Sequence, residues 1–275
     1  MTEVKKIGDN WQDWINAASS SNTVFNVEIP LNQIISFRAR ATDKTGNIGN
    51  WSNETQTRIV STQANHIVIS EIKTSGEFAD QEFIELYNPT DSDIDLGSYS
   101  IQYRGGEADQ FIKKNITSNN STIIPSKGYF LIAPKDFVYI YPNSTLVQHG
   151  RIIMDVALPD MEHSSFSLSS SGGTVFLVNN HTELTDNTIT SSMIVDRLSY
   201  GTGQYLFPEN TPALAPNSSQ TLERRALETS TSETMANGEY ITNGNGYDID
   251  NNLNDFVVHN QPNPRGVISA VPSEL

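Results

Sequence analysis

The segment IISFRARATD sets the terms for the rest of the chain. It places Ile35, Phe37, Ala39 and Ala41 on one side and Ser36, Arg38, Arg40 and Thr42 on the other. A period of two residues belongs to a strand with one buried face, not to a helix. The alternation returns in SYSIQY, where Tyr99, Ile101 and Tyr103 share a face, and in SFSLSS, with Phe166 and Leu168. TVFLVN is apolar on both faces and reads as a central strand. KTGNIGN reads as a turn, and SSSGGT as a hairpin signal. Helical periodicity is nearly absent. The best candidate is APKDFVYIYPN, where Lys135 or Asp136 opens one or two turns and Pro142 ends them. Many short strands separated by turns predict an all-β chain built as a sandwich.

Two modules are expected, at 1–61 and 66–268. All three tryptophans, Trp11, Trp14 and Trp51, precede the short polar segment STQANH. Charge shifts at the same place. Residues 1–61 carry six basic and six acidic side chains, whereas residues 62–275 carry 11 basic and 26 acidic ones, the whole of the net −15. Such a surface repels phosphate backbones and predicts no nucleic-acid partner. With no cysteine, disulfides, thiolate metal sites and cysteine nucleophiles are excluded together. No apolar run approaches the ~18 residues that cross a bilayer, and MTEVKKIGDNWQDW lacks the apolar core of a signal peptide. Residues Arg225 to Gly246, polar and without a strand-length apolar run, read as a long surface loop.

The N-terminal piece FRARATDKTGNIGNWS resembles the second half of a fibronectin type III or related Ig-like domain. The resemblance implies that Trp51 covers the core after the Gly-Asn turn. It spans about half of the ~100 residues such a sandwich needs. That predicts either a piece of a longer chain or packing against a further unit. The remainder, from Ile67 to Arg265, resembles the lamin tail domain family in its bacterial and archaeal form. The pieces IVISEI, EFIELYNPTDSDIDLGSYSI, IIPSKGYFLIA, SFSLSSSGGTVFLVN, IVDRLSYG and QTLERR…DIDNNLNDFVVHNQPNPR arrive in that family's order. The resemblance implies an Ig-like β-sandwich. Where many relatives carry tryptophan after the D-x-(V/L)-x-Y-G strand, this chain has Phe207.

Two acidic stretches are candidate calcium ligands. In YNPTDSDIDLGSY, Asp91, Asp93 and Asp95 alternate. In the family register they belong to a turn, where Asp91 and Asp93 accept turn amides while Ile94 and Leu96 point to the core. In DIDNNLND, Asp248, Asp250 and Asn252 copy the first three ligand positions of an EF-hand loop, but Leu253 replaces the sharp-turn glycine and His259 the bidentate glutamate. An Asx-rich turn is the preferred reading of both. No nucleophile-elbow, zincin or phosphate-loop motif occurs. The five histidines, His66, His149, His163, His181 and His259, lack metal-ligand spacing. Glu82 and Glu85 would sit on opposite faces of a strand, reading as one solvated glutamate and one in a local hydrogen-bonded pair. Arg224-Arg225 and Lys113-Lys114 read as solvated doublets. Eight N-x-[ST] sequons, at Asn50, Asn53, Asn115, Asn119, Asn120, Asn143, Asn180 and Asn217, leave glycosylation open.

No catalytic residue, cofactor or metal is assigned from sequence. The expected role is a non-enzymatic interaction, adhesion or spacer module, extracellular or at a prokaryotic cell surface, with a protein or polysaccharide partner and no membrane insertion. Alternatives are an accessory domain of a secreted hydrolase or nuclease, and a calcium-dependent adhesion module.

Overall fold

In the computed structural model, the described residues are 2–6, 12–15, 34–58, 62–74, 81–118, 120–148, 151–163, 166–189 and 192–267. By their contacts the chain divides into Met1–Ser61 and Thr62–Leu275.

The first unit holds one antiparallel sheet of β1 (Thr2–Lys6), β2 (Gln12–Ile15), β3 (Ile34–Ala39) and β4 (Thr55–Arg58), in the order β2-β1-β3-β4. The alternating segment therefore forms a central strand. Asp43 organises the following turn, accepting the N–H groups of Thr45 and Asn47. Trp51 does not cover the apolar face. Its ring lies 4.5 Å from the Arg38 guanidinium and 4.3 Å from that of Arg40, on the opposite side of β3 from Phe37. Two cations on one indole outweigh the position implied by resemblance. Trp11 falls outside the described residues, and of Trp14 only the backbone is described.

The second unit is an Ig-like β-sandwich. Its larger sheet has the order β14-β11-β6-β5-β17-β18, with β5 Val68–Lys73, β6 Phe83–Tyr87, β11 Tyr129–Pro134, β14 Met161–His163, β17 Thr221–Arg224 and β18 Phe256–His259. The smaller sheet runs β16-β15-β8-β9, with β8 Ser100–Gly105, β9 Ile112–Asn115, β15 Gly172–Val178 and β16 Ile194–Gly201. Two short ribbons accompany them: β7 (Ile94–Asp95) with β10 (Ile123–Ile124), and β12 (Tyr139–Gln148) with β13 (Arg151–Ala157). Between the sheets lies one core. Ile69, Ile84, Leu86, Phe130, Ile132 and Leu222 come from the larger sheet, and Ile101, Tyr103, Val175, Leu177, Leu198 and Tyr200 from the smaller. Tyr99, Phe166, Leu168 and Leu96 join it as their periodicity required. Of TVFLVN, Thr174 to Val178 lie in a central strand and are buried throughout.

Three local expectations are corrected. APKDFVYIYPN forms no helix. Phe137 N–H closes one turn on Pro134 O, and β12 follows, running through Pro142. Phe137, Tyr139 and Tyr141 recur at period two and pack on Phe83, Leu131 and Ala133. Three aromatic anchors against a sheet outweigh one turn of helix propensity. A pairing irregularity between Ile140 and Thr145 accommodates the proline. Next, residues 225–246 are not one open loop. They carry α1 (Ser232–Ala236) and α2 (Glu239–Asn243). Thr231 and Thr234 form a reciprocal capping box, and Met235 is fully buried beneath it.

SSSGGT, finally, makes no hairpin, since Phe166–Ser169 carries no strand assignment. Gly173 is there for close approach: a Cβ would lie 2.5 Å from Tyr103 Oη. That phenol accepts the Ser169 N–H at 2.8 Å, tying SFSLSS to the sheet. Gly173→Ala is expected to cost about 1–3 kcal/mol through overpacking, read as a lower urea midpoint at unchanged slope.

Candidate functional site

The three alternating aspartates do not converge. Asp93 accepts the Ser126 N–H at 2.9 Å. Asp95 accepts Gly97 N–H and Thr122 Oγ1–H. Asp91 is exposed, 3.0 Å from Lys127 Nζ. The hub of this turn is Asn88, which is fully buried. Its amide donates to Ser92, Ile124 and Pro125 carbonyls, and its carbonyl accepts Thr90 N–H. Ile94 and Leu96 face the core.

DIDNNLND is drawn into a different constellation from the one its spacing copies. Asn252, at the start of the short helix α3 (Asn252–Asp255), accepts Ser199 and Glu209 N–H groups and donates to Arg197 O and Glu209. Asp250 is exposed. Asp248 instead gathers with His66 and Asp196, and with Glu209 and Asp255. Each trio offers ligand atoms within 4.8 Å of one another. At their centre is Arg224. Its guanidinium is buried, holds Asp196 in a two-bond contact at 2.8 and 3.0 Å, and lies 3.4 Å from Asp248. It also donates to Ile69 and Tyr247 carbonyls and stacks 4.6 Å from Phe256. Asp196 Oδ2, one of the two oxygens on Arg224, also accepts the Ile69 N–H. Burial raises the Asp196 carboxyl although Arg224 pulls it down. Glu209 is pushed up to about 9, by burial and then by Asp196, and Asp255 to about 6 by burial. The arginine supplies the positive charge that these acids require. It is one half of a doublet expected to be solvated, and the correction follows from strand parity. Leu222 and Arg224 point the same way from β17, into the sandwich.

A second array lies on the outer face of the larger sheet. Glu223 opposes Glu71, and Glu71 opposes Glu85, on neighbouring strands. All three are fully buried. Like charges directly opposite one another are destabilising, and one cation answers the row. Arg265 donates to Glu85 from its backbone N–H and guanidinium, and to Glu223 at 3.1 Å. Asn245 donates to Glu223, Ser70 to Glu85 and the Asn263 N–H to Glu71. His259, on β18, places Nδ1 3.2 Å from Glu223. Burial, reinforced by Glu223 and Glu85, drives the Glu71 carboxyl well above its ordinary range. Burial lifts Glu85 to about 7 against the pull of Arg265, and lowers His259. Glu85 is thus hydrogen-bonded as expected, but to the far end of the chain. Glu82 is not solvated: it accepts the Leu168 N–H at 3.0 Å, and burial raises it to about 7.

Arg104 is a third enclosed guanidinium, stacked on Phe111, Tyr205 and Phe207 and paired with Asp186. Phe207 also packs against Phe176. Lys113 donates to His181 O. A signal for the glutamate row was present. IVISEI and EFIELY carry Glu71 and Glu85 inside apolar strands, and a charge in that setting requires a buried partner.

A family model described as Lamin Tail Domain matches residues 60–202, just over half of the chain. A crystal structure of a DUF4876 family protein from Bacteroides thetaiotaomicron VPI-5482 is similar at a TM-score of 0.44 and 12% identity, over 99% of this chain and 94% of that one. No curated protein matches.

Proposed function

Because the chain belongs to the lamin tail domain family, we propose that it is a non-enzymatic interaction or spacer module, acting outside the cell or at a cell surface. One observation carries the reading. The acids with raised proton affinity, the usual mark of a catalytic centre, are buried or nearly so, and Asp196, Glu85, Glu71 and Glu82 are engaged by Arg224, Arg265 and backbone N–H groups. A carboxyl buried among its own partners is out of hydrogen-bond reach of a substrate. The first unit, with its fibronectin-like strand-turn-strand segment, fits a string of extracellular β modules. An accessory role beside a secreted hydrolase is the same physical reading in a longer chain.

The expected result is no turnover of phosphodiesters, peptides or glycans by the purified chain. Turnover abolished by a substitution in this chain would overturn the reading. For nucleic acid, a low-salt gel shift is expected to be negative, given the net −15. The calcium-dependent alternative is carried by Asp248 and its neighbours. With Arg224 among them, no melting shift is expected in millimolar calcium. A gain approaching about 2.7 kcal/mol at 100 times Kd would favour that alternative.

A further inference from the structure

Beside the glutamate row, a cavity of about 760 Å³ opens between the larger sheet and α2. Its floor is the pair Tyr87 and Tyr129, directly opposed on β6 and β11 with ring centroids 4.7 Å apart. Tyr240 of α2 forms a wall, and Gln63, Asn243 and Lys127 bring polar groups to the rim. We propose that this cavity binds a neutral sugar unit of a surface polysaccharide, a proposal that rests on reading the module as a binding unit.

Three features carry it. The first is rigidity. The Arg265 guanidinium lies 4.0 Å from the Tyr129 ring and 4.2 Å from that of Tyr240, fixing both. Gly244, the C-cap of α2 with φ +68, sits so close that a Cβ would fall 1.9 Å from Tyr87 Oη. The wall is therefore held against the floor at a distance only glycine permits. Second, the cations here are compensated. Lys127 Nζ bonds Pro89 O at 2.5 Å and pairs with Asp91 at 3.0 Å. Arg265 is paired with Glu85 and Glu223. An anion would find no unmatched cation, and a cation would meet Lys127. Third is the mixture of surfaces. The Tyr129 phenol donates to Asn245 Oδ1, and the Gln63 and Asn243 amides donate to Ala226 O and Glu239 O, so the polar groups at the cavity are held in fixed directions for a ligand that carries hydroxyls. A sugar ring offers a C–H face to tyrosine and hydroxyls to amides and phenols. The volume is that of an ordinary small-molecule site.

The test is affinity electrophoresis in dextran, xylan, galactomannan and β-glucan, with calorimetry on cellobiose, maltose and N,N′-diacetylchitobiose. At least one probe should bind, with tyrosine absorbance perturbed and Kd nearly independent of salt, as befits a neutral ligand. Thr242→Trp, at an exposed position on α2, should obstruct the cavity and weaken binding about tenfold or more with an unchanged melting temperature. Asn243→Ala should weaken it less. No binding of any probe, or binding untouched by Thr242→Trp, would overturn the proposal and leave the non-enzymatic reading standing. A sugar bound here and shortened would overturn that reading while keeping the site.

Discussion

Arg224→Leu is expected to destabilise the second unit by about 3–5 kcal/mol, the usual cost of leaving a buried charge without its partner. The effect should exceed that of removing Asp196. Asp196→Asn keeps an oxygen to accept the Ile69 N–H, and Asp248 remains 3.4 Å from the guanidinium. Arg224→Leu, by contrast, leaves Asp196, Asp248, Glu209 and Asp255 facing one another. The two substitutions should therefore rank clearly, and the double substitution should cost less than their sum, because the paired partners share one interaction. Urea denaturation at neutral pH reads all three. Near pH 5 the Arg224→Leu deficit should shrink, since Asp255, held near 6, takes a proton there, whereas Glu209, held near 9, already carries one at neutral pH. If Arg224→Leu and Asp196→Asn cost the same, the guanidinium is not the common counter-ion.

How much of this was written in the sequence depends on the range of the interaction. Period two is local, so β3, β8 and β15 were legible from six or seven residues each. The order of family pieces was legible because each is a strand with its turn. The misses are non-local. Glu85 meets Arg265 across 180 residues, and Arg224 meets Asp196 across 28 residues on another sheet. Neither pairing leaves a mark in spacing. Strand parity nonetheless contained a warning, since Leu222 and Arg224 must share a face. The helix expected at Lys135 failed for the opposite reason. There the capping signal and the period of Phe137, Tyr139 and Tyr141 compete locally, and the period is the stronger. In residues 225–246, the Thr231–Thr234 capping box is an equally local signal.

The glutamate row makes an acid-shifted stability optimum the second large expectation. Glu71 and Glu85 are raised in the folded state, Glu85 to about 7, and so is Glu82, to about 7. A carboxyl with a raised folded pKa binds its proton more tightly when folded. Its stabilisation is complete below the unfolded value near 4.5 and is lost as pH rises through the folded value. Buried His163, lowered to about 4, and His259 act in reverse. Their stabilisation is complete above about pH 6.5 and is lost as pH falls through their folded values. The two effects oppose one another between about pH 4.5 and 6.5. Above that window the histidines no longer change, and only the carboxyl loss continues. Of the roughly 3 kcal/mol that Glu85 loses between about pH 4.5 and 7, about 1 kcal/mol remains above pH 6.5, and the fall in stability is expected to continue towards about pH 9 because Glu71 is raised further and Glu209 is held near 9. The net −15 pushes in the same direction through self-repulsion, but that part is screened in about 0.5 M NaCl, whereas the buried part is not. Glu71→Gln, which mimics the protonated acid, should flatten the high-salt profile. A profile already flat in high salt would mean that the row is ionised and fully compensated, with Arg265 and the surrounding N–H groups sufficient for all three carboxylates.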